Sequence, residues 1–201
     1  MNPFTDGRIR ILILMLGWRS NPIPAAAQAA VEGVSAIGTP GGTKRDGQHD
    51  FDFWFGKWTV HNRRLLDPLT GSKTWVEFEG KAVARPVWGG RPNMDEYEAD
   101  SPSGHIEGMT VRTYNTASHE WSIYWANQKD GAFSLPATVG RFQDGRGEFY
   151  DQEDFKGRKI TVRYVWTMQS SESCQWEQAF SSDAGASWET NWIMTFSREK
   201  E

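Results

Sequence analysis

From Trp58 onward the chain alternates apolar and polar residues in short runs, and clusters of Gly, Pro, Asn and Asp separate the runs. A period of two is the signature of half-buried strands. The pattern predicts strands at 58–66, 75–85, 93–98, 107–114, 121–126, 137–142, 147–152, 160–168, 173–180 and 189–197. Asp67-Pro68-Leu69-Thr70-Gly71, Gly89-Gly90, Asn115 to Ser118 and Asp144-Gly145 are the clearest turns between them. Parallel pairing needs crossovers of about a dozen residues, usually helical, and the chain shows none. The expectation is therefore all-β, an antiparallel meander of about ten strands. An open sheet of that width curls, and closure removes its edges, so a barrel is favoured over a sandwich. Just before the strands, Asp50 to Gly56 reads as one helical turn. Phe51, Trp54 and Phe55 share a face at i, i+3 and i+4. Asp50 is the expected cap, Gly56 the expected left-handed exit, and the turn a short N-terminal plug.

The alternation also sorts side chains. One face of the last three strands carries Val162, Tyr164, Trp166 and Met168, then Cys174, Trp176, Gln178 and Phe180, then Thr190, Trp192, Met194 and Phe196. This apolar face should point inward. A barrel so lined is filled by its own rings or holds one small molecule. Trp166, Trp176 and Trp192 are the expected ligand-binding aromatics. Asn62, Tyr164, Gln178 and Thr190 are the expected inward polar groups, which either orient a ligand or satisfy one another. The opposite face holds Arg163 and Glu177 on adjacent strands, with Arg112, Tyr124 and Asn191 in a similar polar set. That set is an outer ladder in one reading. With the register reversed it becomes a Glu–Arg–Tyr interior suited to acid–base chemistry.

Composition narrows the picture. The chain has 201 residues, with 11 Trp and 11 Phe, so aromatics can supply the core without Leu-rich helices. The single cysteine, Cys174, excludes an internal disulfide and a Cys-based zinc site. The formal charge is −4 and the longest basic cluster is Arg63-Arg64, which speaks against a nucleic-acid partner. No run of eighteen apolar residues suggests a transmembrane segment. His49, His61, His105 and His119 form no close pair. His49-Asp50-x-Asp52 is the best metal-like cluster, but Asp50 is already claimed by the turn. The last four strands hold no histidine for a haem, and no nucleophile elbow or phosphate loop occurs. No cofactor and no metal are expected. Residues 1–48 differ from the rest. Arg8 and Arg10 precede the apolar run Ile11 to Leu16, and Ala25-Ala26-Ala27 follows Pro22 and Pro24. This is either an export signal cleaved after Ala27 or Ala29, or a disordered extension. Residues 31–48 read as a linker, and location is either periplasmic or cytoplasmic.

Two motifs carry a resemblance. Gly56-Lys57-Trp58 follows the helical turn and opens a strand, which resembles the Gly-x-Trp signature of lipocalin-like barrels, the calycins. Ser181 to Trp188 matches the Asp-box pattern S-x-D-x-G-x-x-W, repeated once per blade in sialidases but single here, and so reads as a hairpin stabiliser. Residues 49–198 resemble a bacterial protein family of unknown function with a calycin-like barrel. The segments HDFDFWFGKW, WVEFEG, RTYNTASHEWSIYW, VGRFQDGRGEFY and WEQAFSSDAGASWETNWIM carry that resemblance. It implies the fold and no reaction. The leading functional expectation is a barrel that binds a small apolar or aromatic ligand, with a homodimer possible. The alternatives are a cofactor-independent isomerase, cyclase or hydrolase with a polar interior, and a carbohydrate-binding sandwich with exposed, coplanar Trp.

Overall fold

The structure, a computed structural model, describes residues 46–200. The expected export signal or extension, its cleavage sites and nearly all of the linker lie outside the described residues. Ten strands follow one another: β1 (Gly56–Leu65), β2 (Trp75–Pro86), β3 (Pro92–Ser101), β4 (Gly104–Asn115), β5 (Glu120–Asn127), β6 (Thr138–Gln143), β7 (Arg146–Phe155), β8 (Arg158–Met168), β9 (Ser173–Ser181) and β10 (Glu189–Arg198). Each pairs antiparallel with its sequence neighbours, and β1 pairs with β10, so the meander closes into a barrel. At the closure Trp58 stands opposite Arg198 and Arg64 opposite Trp192. Closure leaves no long sheet edge to be covered.

β3 is longer than its alternation suggested, ten residues in place of 93–98. Its inward positions are Asn93, Asp95, Tyr97 and Ala99, placed opposite Pro86, Ala84, Ala82 and Gly80 of β2. Polar residues on the buried face erase the period-two signal there.

The expected helical turn is a single 3-10 turn, Asp52–Trp54. Its N-cap is Phe51, with no side-chain cap bond, so Asp50 does not hold the capping position. The turn starts later than the i, i+4 spacing implied, and backbone carbonyls take its first amides: Asp52 N donates to His49 O and Trp54 N to Phe51 O. At its exit Gly56 has φ +120°, where only glycine is unstrained. Arg198 donates to the carbonyls of Phe53 and Phe55 and so ties the turn to the end of β10.

The barrel has two ends. The turn end holds the 3-10 turn, the start of β1 and the finish of β10. Phe51 and Trp54 are buried there. Phe51 meets Trp121 and Phe142 edge-on, with centroids 5.1 and 4.9 Å away. Trp54 meets Phe196 at 4.7 Å and Trp166 at 4.9 Å. Each such pair adds roughly 0.5–1.5 kcal/mol beyond its burial. The far end holds the close of β1 and β7 and the opening of β10.

The Ser181–Trp188 box is a hairpin at the far end. Asp183 accepts from Ser187 N, Ser187 Oγ and Ser181 Oγ. Those bonds, first from Ser187, hold its carboxyl down at about 2. Trp188 lies outside the barrel, under the Arg163 guanidinium at 4.5 Å. The motif is a turn stabiliser, as its spacing implied.

Candidate functional site

The far half of the barrel is not filled. A cavity of about 300 Å³ lies between the strands. Its floor at the turn end is Trp54, Trp166 and Phe196, and its walls include Ala82, Tyr97, Ile123, Trp125, Trp176 and Met194. Toward the far end it is lined by Arg64, Ser134, Glu153, Tyr164, Gln178, Phe180 and Trp192. Aromatic rings thus form about half of the wall, and polar groups, Asp95, Thr110 and Arg112 among them, converge on it, a make-up suited to a small-molecule pocket.

Five of the seven expected site residues line this space: Tyr164, Trp166, Trp176, Gln178 and Trp192. Asn62 does not line it. It is fully buried, and its Oδ1 accepts from Tyr97 Oη at 2.8 Å and from Trp192 Nε1 at 3.1 Å. Asn62 therefore clamps two rings that do face the cavity. Thr190 is turned away. The β9–β10 register shifts between Thr190 and Trp192, so Thr190 pairs with Ala179 while Trp192 pairs with Gln178. One extra residue, Asn191, swings inward instead. It is buried and its Oδ1 accepts from Gln178 Nε2 at 2.7 Å.

The outer polar set divides. Arg163 pairs with Ala179, and Glu177 with Val165, on the face opposite to Tyr164 and Trp176. Neither lines the cavity, so the Arg163–Glu177 interior is overturned by the register. Tyr124 pairs with Val111 on that outer face as well. Arg112 and Asn191 go the other way and are buried.

Arg112 is the main interior group that alternation misplaced. It stands opposite Asn93 on β3 and Ile123 on β5, both inward. Its Nη1 donates to Asp95 Oδ2 and, at 3.3 Å, to Asn93 Oδ1. Trp54 Nε1 donates to the same Asp95 oxygen at 3.1 Å. The guanidinium lies 5.0 Å from the Phe51 ring, 5.4 Å from Trp166 and 5.9 Å from Trp54. A buried ion pair needs such help, because desolvation offsets most of its Coulomb gain. Arg112 Nε and Asn93 Nδ2 still find no partner.

A second polar corner lies across the barrel. Thr138 Oγ1 donates to Asp151 Oδ2 at 2.6 Å, while Asp151 Oδ1 is buried without a partner. Burial raises the Asp151 carboxyl above its ordinary range, against the Thr138 bond. Burial, and then the charge of Asp151, pushes Glu153 up to about 7. Burial, with Glu153 and Asp151 nearby, drives the Tyr164 phenol far upward, so it stays protonated.

Glycine shapes one wall. A Cβ at Gly108 would sit 2.5 Å from the Trp125 ring, so the bare backbone there makes room for that indole. His49, part of the metal-like cluster, instead pairs its Nδ1 with Asp52 Oδ2 at 2.9 Å. Of the described tryptophans only Trp88 is strongly exposed, at 86%. With the sheet closed as well, the carbohydrate-binding sandwich with its row of exposed Trp is overturned.

No protein-family model matches the chain, and no curated protein matches it. Solved structures do. The S-type phycobiliprotein lyase of Guillardia theta is similar over 79% of this chain and 95% of its own, with 12% identity and a TM-score of 0.56. A de novo designed fluorescence-activating β-barrel is similar over 78% of this chain and all of its own, with 13% identity and a TM-score of 0.40. At 12% identity the likeness to the lyase concerns the fold alone.

Proposed function

We propose that this chain is a small-molecule-binding barrel of the calycin-like type, with residues 49–198 as its domain. The 3-10 turn is its plug, and a mostly aromatic ligand sits in the far-end cavity. The observation that carries this reading is the contrast inside one barrel. The turn end is packed solid with rings, while about 300 Å³ stays open beside Trp125, Trp176 and Trp192. A water occupies about 30 Å³ in the liquid, so the space suits a one- or two-ring molecule. The lyase likeness supports the fold of this reading and not its ligand. Tyr164, Trp166, Trp176, Gln178 and Trp192 are the proposed contacts, with Asn62 holding the rings in place.

The test is a titration of the full-length protein with 2-naphthamide, a neutral two-ring probe, read by quenching of intrinsic Trp fluorescence and by native mass spectrometry. Saturable binding of one equivalent, weakened at least about tenfold in Trp176→Ala, is expected for a ring that loses its stacking wall. Absence of any saturable binding across neutral and anionic aromatic probes would sink the proposal.

A further inference from the structure

The charged groups on the cavity wall are not balanced in place. Arg112 has Asp95. Arg64 has no such partner: its guanidinium lies over the Trp192 ring, 4.4 Å from its Cζ, near the Tyr97 phenol, and among the described residues no carboxylate pairs with it. It lines the cavity and is half-buried. A guanidinium does not shed its proton in a protein, so neutralisation is not open to it. Its face is stacked on an indole, and the donor edges of its fork are the part left for another group. Tyr97 and Trp192, the rings beside it, are both fixed by Asn62. The Arg64 end of the site is therefore built and held rigid around one unmatched positive charge.

The opposite wall has the complementary character. Counting strands around the barrel, β1 and β7 are four apart one way and six the other, so Arg64 and Glu153 stand nearly across from each other. Both lie toward the far end, where β1 and β7 finish. Glu153 lines the cavity with no cation paired to it among the described residues, and Asp151 adds a second, partly unmatched carboxyl next to it. An anion placed near this wall meets repulsion, whereas a donor meets free oxygen lone pairs. The cavity is thus polarised across its width.

Resting on the binding reading above, we infer that the ligand is an aromatic carboxylate, bound with its carboxylate on the Arg64 fork and its ring among Trp125, Trp176 and Trp192. The rest of the molecule points toward Glu153 and Asp151, where a hydroxyl or amino donor on the distal ring is accepted and a second anionic group is not. The planar fork matches a planar carboxylate bidentately. Inside the barrel this contact is shielded from water and stronger than the same pair at the surface.

The probes are 2-naphthoate and 2-naphthamide, which share shape and differ in charge, titrated against the full-length protein at pH 8. The expected result is that naphthoate binds about tenfold or more tightly than naphthamide, the range of one charge-assisted bidentate contact. Arg64→Gln abolishes that preference, and a urea unfolding transition like that of the unaltered protein reports that the variant is folded. Arg64→Lys, which keeps the charge without the fork, falls between the two. A 2,6-naphthalenedicarboxylate binds more weakly than naphthoate, and Glu153→Gln narrows that gap. Equal binding of naphthoate and naphthamide in the unaltered protein, or a preference that survives in Arg64→Gln, overturns this inference while leaving the binding reading intact. Failure of both probes to bind overturns the binding reading itself.

Discussion

The two ends of this barrel are made from the same strands and differ in what fills them. At the turn end Phe51 and Trp54 descend from outside the sheet and meet Trp58, Trp121, Phe149 and Trp166, all 3% exposed or less. At the far end no described residue outside the strands does this, and the inward positions carry Arg64, Glu153 and Gln178 around open space. Ring count alone does not distinguish the ends, since Trp125, Trp176 and Trp192 belong to the far one. What distinguishes them is whether the rings close on one another completely or, as with Trp176 and Trp192 at 5.7 Å, touch along the wall and leave about 300 Å³ open beside them. The first arrangement supplies stability, and the second leaves room for the proposed ligand.

Substitutions at the turn end should therefore cost the most stability. Trp54→Ala removes a fully buried ring and the donor to Asp95, and is expected to destabilise by roughly 3–5 kcal/mol in urea unfolding. A loss below about 1 kcal/mol would mean that the turn is not part of the core.

Next is the buried pair. Asp95→Leu leaves Arg112 charged among rings and is expected to cost about 3–5 kcal/mol. The double change Asp95→Leu with Arg112→Met is expected to recover most of that loss. A strictly additive double-mutant cycle would contradict the coupling of the two residues.

At the far end, Trp176→Ala is expected to cost no more than about 2 kcal/mol, because its ring already borders a void, yet to weaken aromatic binding strongly. A stability loss equal to that of Trp54→Ala would erase the distinction between the ends.

The last effect is a pH dependence. The Glu153 carboxyl is raised from 4.5 to about 7, so the folded state binds a proton there more tightly than the unfolded chain. Its contribution to stability falls as pH rises from about 4.5 to 7 and is flat outside that window, with Asp151 acting in the same direction. Glu153→Gln should flatten the fall in thermal unfolding midpoint between pH 5 and 8. An unchanged slope would show that this carboxyl is not desolvated.

The difference between the ends also explains what could be read from the sequence. β8 and β9 keep an unbroken register, and five expected lining residues sit where parity placed them. Arg64 was legible in principle: it shares parity with Trp58, Val60 and Asn62, but as half of Arg63-Arg64 it reads as a surface charge. Asp95 and Arg112 were hidden for the same reason, since a buried ion pair looks like two solvated residues until its strands are paired. Asn191 and Thr190 were exchanged by a bulge, which shifts parity by one without marking the sequence. The Asp50 cap failed because a single 3-10 turn has no room for the helical spacing assumed. For the buried pair the missing information was which strands adjoin, and that comes from the closed barrel.

A crystal structure of the full-length protein soaked with 6-bromo-2-naphthoate and read at the bromine edge decides whether the far half of the barrel is a binding site. One anomalous peak is expected there, on the Glu153 side of Trp125, Trp176 and Trp192, with the carboxylate on Arg64. A bromine found only on the outer surface, or a cavity filled by its own side chains, would contradict it.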